Sequence, residues 1–60
     1  MNKEKFLKVY SNLPLNLRDE VILVLPDRGR ITWNVAYVEV DADTKVGQKI
    51  LNRLAQFEII

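Results

Sequence analysis

Apolar and polar positions along this 60-residue chain fall into successive blocks, and their period changes from block to block. In the first block Phe6, Leu7, Tyr10 and Leu13 recur at helical spacing while Lys3, Lys5, Lys8 and Asn12 look outward. This predicts a helix capped by Asn2 and stopped by Pro14, whose ring forces the preceding residue out of the α region. Leu15 and Leu17 follow in a segment too short for more than a helical turn, where they are expected to plug the gap between the helix and the next element. That element opens with five consecutive aliphatic residues, Val21 to Leu25, and continues as Arg30-Ile31-Thr32-Trp33. The residues between, Pro26 to Gly29, have turn chemistry, so the pattern predicts a β-hairpin with a four-residue loop. Such a loop sets Leu25 opposite Arg30, Val24 opposite Ile31, Leu23 opposite Thr32 and Ile22 opposite Trp33. Ile22, Val24, Ile31 and Trp33 then share one face, and Val21, Leu23 and Leu25 the other. A strand with one face in water alternates apolar and polar residues. This first strand does not, so its second face is expected to be covered.

The next block fits two templates. Trp33, Ala36, Tyr37 and Val40 follow the i, i+3, i+4, i+7 spacing of a helix with Thr32 at its cap, whereas Ala36, Val38 and Val40 alternate with Glu39 and Asp41 as in a strand. The helical stripe captures both aromatics and puts the threonine where a cap belongs, so helix is the reading adopted, with residues 33–40 as a continued β-strand the alternative. The last block is plainer. Asp41 to Thr44 form a capping segment, and Val46, Ile50, Leu51, Leu54 and Phe57 trace one apolar stripe of a final helix. Gly47 in its first turn costs about 1 kcal/mol relative to alanine within a helix. It marks either a close approach of backbone, under Trp33 or Tyr37, or a tolerated glycine near a frayed end.

These elements add up to one small α+β domain spanning residues 1–60: a helix, a two-stranded antiparallel hairpin, then two helices. Twenty of the sixty residues are Ile, Leu or Val. A chain this short buries only about 60% of its unfolded surface, and with no cysteine or histidine it has neither disulfide nor ordinary zinc site to help. Burial is therefore expected to be completed by homodimerisation, with Val21, Leu23 and Leu25 on the second hairpin face and Ile59 and Ile60 at the terminus as the interface.

Lack of His and Cys also removes the commonest general base and the strongest thiol nucleophile. Ser11, the only serine, has no base near it in sequence. The Asp19-Glu20 and Asp41/Asp43 pairs sit at element ends, where carboxylates serve as caps. An EF-hand reading of the segment from Asp41 fails, because Lys45, Val46 and Asn52 stand where an oxygen ligand, a glycine and a bidentate glutamate are required. A site built from Tyr37 and Glu39, or from Asp41 and Asp43 in a dimer cleft, ranks third among the functional readings. No catalytic residue, metal or cofactor is expected. No apolar run exceeds five residues, which argues against a membrane span and a signal-peptide core and for a cytoplasmic chain.

One charged feature stands out against a net charge of only +1. Lys45, Lys49 and Arg53 recur every fourth residue, flanked by Gln48, Asn52 and Gln56, with no acidic residue between Asp43 and Glu58. Such a helix face can lie along phosphates, and Arg28 and Arg30 at the hairpin would add to it if a dimer brought them to the same side. The expected role is thus a non-enzymatic, homodimeric protein–protein interaction module. The alternative is a DNA-binding regulator or antitoxin-like protein that uses Lys45, Lys49 and Arg53.

Overall fold

The structure, a computed structural model, describes residues 2–60 and has the expected α+β order: α1 (Asn2–Ser11), a 3-10 turn (Leu15–Leu17), β1 (Val21–Leu25), β2 (Gly29–Thr32), α2 (Trp33–Asp41) and α3 (Lys45–Gln56). The two strands pair antiparallel as a hairpin, and the three helices pack on one another and on one face of it. Phe6, Leu23, Leu25, Ile31, Trp33, Ala36, Val40, Ile50 and Leu54 form a single core drawn from every regular element.

Residues 33–41 are helical because side-chain and loop groups satisfy the first amides of α2. Thr32 Oγ1 accepts from Val35 N–H at 3.1 Å. The preceding loop supplies the rest: Trp33 N–H donates to Glu20 O at 3.3 Å and Asn34 N–H to Arg18 O at 3.0 Å. An α-helix leaves four such donors orphaned at its start, and three are met here. In a strand, Trp33, Ala36 and Val40 could not all face the core; in the helix all three are buried.

Both α2 and α3 end in a left-handed residue that is not glycine. Asp43 (φ +56°) and Glu58 (φ +57°) each sit just past a C-cap. The following amide reaches back five residues, Thr44 N–H to Glu39 O at 3.2 Å and Ile59 N–H to Leu54 O at 2.8 Å, the paired-bond ending of a Schellman motif.

The hairpin register differs from the expected one. Arg28 N–H bonds to Leu25 O at 3.3 Å, and Gly29, in the left-handed region at φ +79°, pairs with Leu25. The loop is therefore Pro26 to Arg28, one residue shorter than expected. Every partner on β2 moves by one: Val24 faces Arg30, Leu23 faces Ile31, and a bulge at Ile22 brings Val21 opposite Thr32. Because side chains alternate with period two, a one-residue slip exchanges the faces. Leu23, Leu25 and Ile31 point into the core, while Val24 lies outside at 66% exposure. Trp33 leaves the strand altogether and begins α2. The face of Leu23 and Leu25 is thus covered, by the chain's own core, and it is the opposite face, with Val24, that is open to solvent.

Two further expectations on packing are corrected. Leu15 and Leu17 do not plug a gap: Leu15 is 77% exposed and Leu17 is exposed as well, the space beside α1 being taken by Leu13, which packs against the core. Phe57 does not continue the buried stripe of α3. It is the C-cap residue of α3, just before the left-handed Glu58, and its ring is 56% exposed, while Ile60 packs against the core.

Candidate functional site

The position of α3 rests on one threonine and one glycine. Thr44 Oγ1 accepts from Gly47 N–H at 2.9 Å and donates to Glu39 Oε1 at 2.7 Å, which fixes the start of α3 to the end of α2. Gly47 is buried, and a Cβ there would meet backbone atoms of Glu39 and Val40. The close approach foreseen for this glycine is real, but it lies against the last turn of α2 and not under Trp33 or Tyr37.

With Gly47, Ile50 and Leu54 inward, α3 turns Lys45, Gln48, Lys49, Asn52, Arg53 and Gln56 to solvent. The hairpin tip reaches the same surface within the single chain. Between them lies a groove of about 430 Å³, lined by Leu25, Pro26 and Asp27 on the hairpin side and by Lys49, Asn52, Arg53 and Gln56 on the helix side. Lys49 Nζ stands 3.8 Å from Asp27 Oδ2, with both side chains largely exposed. At that length and exposure the pair is screened and leaves Lys49 free to engage another anion. Lys45, the first residue of α3, precedes the groove by one helical turn.

A second hollow of about 350 Å³ opens where the start of α1 meets α3, over Gly47, with Lys3, Asp43, Leu51 and Asn52 among its walls. It is bridged by Lys3 Nζ to Asp43 Oδ1 at 2.9 Å.

The densest polar cluster lies at the other end of α1. Tyr10 stacks on Tyr37 at 4.5 Å between centroids and 11° between planes, and the Arg18 guanidinium carbon lies 4.4 Å from the Tyr10 centroid. Tyr10 O–H donates to Asn34 Oδ1 at 2.8 Å, Asn34 Nδ2 donates to Asp19 Oδ1 at 2.8 Å, and Arg18 Nη2 donates to Tyr10 O at 3.3 Å. These groups satisfy one another and tie the loop before β1 to the start of α2. Arg18 Nε alone is buried without an acceptor.

Of the residues considered for chemistry, Tyr37 is stacked on Tyr10, Glu39 receives the Thr44 hydroxyl and Asp43 is paired with Lys3. They do not converge on either hollow as a set. Among the described residues no group of three or more carboxylates is placed to hold a metal ion, and no helix is long and apolar enough to cross a membrane.

The residues expected at a dimer interface divide. Leu23 and Leu25, 9% and 3% exposed, are part of the chain's own core, because the register slip turned their face inward. Val21 and Ile59 are exposed, and Ile60 is half-buried against the core. Leu15, Val24 and Phe57 were missed as surface residues. For Phe57 the signal was its place four residues after Arg53, at the end of the basic stripe and just before the terminal Glu58-Ile59-Ile60. No model of a known protein family, no curated protein and no solved structure matches this chain.

Proposed function

We propose that this chain is a non-enzymatic interaction module that pairs with a second copy of itself through the segment from the 3-10 turn to β1. The observation carrying this reading is the clustering of exposed apolar side chains. Of the eight large hydrophobic residues left in solvent among the described residues, four, Leu15, Leu17, Val21 and Val24, fall in one ten-residue stretch. Scattered exposed aliphatics are ordinary on a protein surface, whereas a concentration of them on one segment marks a contact.

The chain exposes 4222 Å² in all, close to the roughly 4,000 Å² of a compact monomer of this mass. A second copy is therefore not needed to finish the core, and its role is to cover this face. A specific interface takes about 800 Å² from each partner, roughly one-fifth of that surface. Lack of His and Cys supports a role without catalysis.

Light scattering on a sizing column from about micromolar concentration upward tests the reading, with Val24→Lys and Leu15→Ser as comparison proteins. A dimer that Val24→Lys converts to a folded monomer supports it. A monomer at every concentration, or a dimer indifferent to both substitutions, refutes it.

A further inference from the structure

The hairpin tip and α3 with the residues that end it carry Arg28, Lys45, Lys49 and Arg53 against two acids, Asp27 and Glu58. The net charge of this stretch of surface is +2, in a chain whose total is +1. The cations on α3 recur every four residues, about 6 Å apart along the axis. The next position in that series is Phe57, an aromatic ring that stands 56% exposed where α3 ends. Between the cations, Asn52 and Gln56 present amide groups, and they line the groove with Lys49 and Arg53.

The geometry points to a binding track for single-stranded nucleic acid, with phosphates along Lys45, Lys49 and Arg53 and an unpaired base stacked on Phe57. Three observations favour this ligand over other polyanions. The cations form a regular line and not a compact cluster, which suits a chain of repeating charges. An exposed ring at the end of the line offers a stacking surface for a flat apolar face, which bases have available when unpaired. The amides of Asn52 and Gln56 offer both donors and acceptors, which match base edges. Asp27, 3.8 Å from Lys49, is the ion that an incoming phosphate displaces.

This inference stands apart from the proposed pairing face. Leu15, Leu17, Val21 and Val24 share no residue with Lys45, Lys49, Arg53 and Phe57, so either can fail alone.

The test is fluorescence anisotropy of labelled single strands of about 12 nucleotides, DNA and RNA, with the matching duplex and anionic phospholipid vesicles as competitors. Three phosphate contacts predict a log–log salt slope near −2, an affinity loss of about 20-fold between 50 and 200 mM salt. The double variant Lys49→Gln/Arg53→Gln weakens binding at least about tenfold and flattens the slope toward −0.7. Phe57→Ala weakens it about fivefold or more with the slope unchanged, and Phe57→Trp restores it. All three positions are exposed, and far-UV circular dichroism of each variant confirms an intact fold. The proposal is overturned by no binding at low salt, by binding indifferent to these substitutions, by a duplex held as tightly as the single strand, or by vesicles that retain the protein when oligonucleotides do not.

Discussion

Replacing Gly47 by alanine sets two effects of known sign against each other. Alanine is the better helix former by about 1 kcal/mol in a helix interior, and a glycine near the start of α3 would, on propensity alone, be improved by the change. The structure supplies the opposing term. A Cβ at this position comes within 2.7 Å of the Glu39 carbonyl carbon and 3.0 Å of Val40 N, and nearer still to Glu39 O. These are backbone atoms and cannot rotate aside. Glu39 O also accepts from Thr44 N–H at 3.2 Å, so moving it weakens the bond that ends α2. Moving α3 instead draws Ile50 and Leu54, both fully buried, out of their packing. Overpacking of this kind costs about 1–3 kcal/mol and a weakened buried hydrogen bond about 1 more. The propensity gain is smaller, and Gly47→Ala should destabilise by about 1–3 kcal/mol. In a chain of this size that is a large share of a total near 3–9 kcal/mol. Urea unfolding followed by Trp33 fluorescence measures it, with a melting temperature lowered by about 4–8 °C per kcal/mol. An unchanged or raised midpoint would show that α2 and α3 do not approach as closely as the structure has them.

The second glycine separates space from backbone angle. Gly29 has φ +79° and nothing within 4 Å of a Cβ, so Gly29→Ala should cost about 1–2 kcal/mol from the dihedral alone, and Gly29→Asn distinctly less, since asparagine tolerates that region. Equal losses for Ala and Asn in thermal melts would contradict the turn geometry. Glu58, exposed and left-handed at φ +57°, should respond in the opposite direction. Glu58→Gly removes a penalty of about 1–2 kcal/mol and adds part of it back as unfolded-chain entropy, about 0.4–1 kcal/mol. The net gain of about 0.5–1 kcal/mol would appear as a raised urea midpoint at unchanged slope, and a lowered midpoint would mean that Ile59 does not close α3 as the structure has it.

How far the fold was legible follows from what each signal measures. Periodicity located the helices, the unbroken aliphatic run and its turn residues located the hairpin, and caps settled the ambiguous element: Thr32 before Trp33 and Thr44 before Lys45 each accept the amide three residues on. Register was not legible to the same degree. The run Val21 to Leu25 is apolar at every position, so the strand carries no alternation from which to read its buried face. The choice was left to the loop, and the loop is shorter than Pro26 to Gly29 suggests. One residue of slip turned Leu23 and Leu25 from interface candidates into core. The basic stripe was legible as spacing on a helix, but its proximity to the hairpin tip was not, since contact between α3 and β1 is fixed by packing across the nineteen residues between them. Phe57 was misplaced because it is the last residue on the helical path: its N–H still bonds to Arg53 O at 3.0 Å, but the chain turns at left-handed Glu58 and the ring is left exposed.

Charge and apolar surface are segregated in this small chain, and the segregation constrains what it does. The hairpin uses its two sides differently: Leu23, Leu25 and Ile31 close the core, while Val24 stands opposite Arg30 on the outer face. Its tip meets α3 away from that pairing and forms one wall of the basic groove. Lys49, Arg53 and Phe57 are not among the residues of the proposed pairing face, so a pair formed there would present two of the proposed tracks where the monomer has one. Two tracks held at fixed separation raise the effective concentration of the second contact once the first is made. Each track by itself carries few contacts, and three phosphates support only weak binding at physiological salt. If both proposals hold, a strand long enough to reach both tracks would be released only when both let go, and its salt slope would exceed the single-track value.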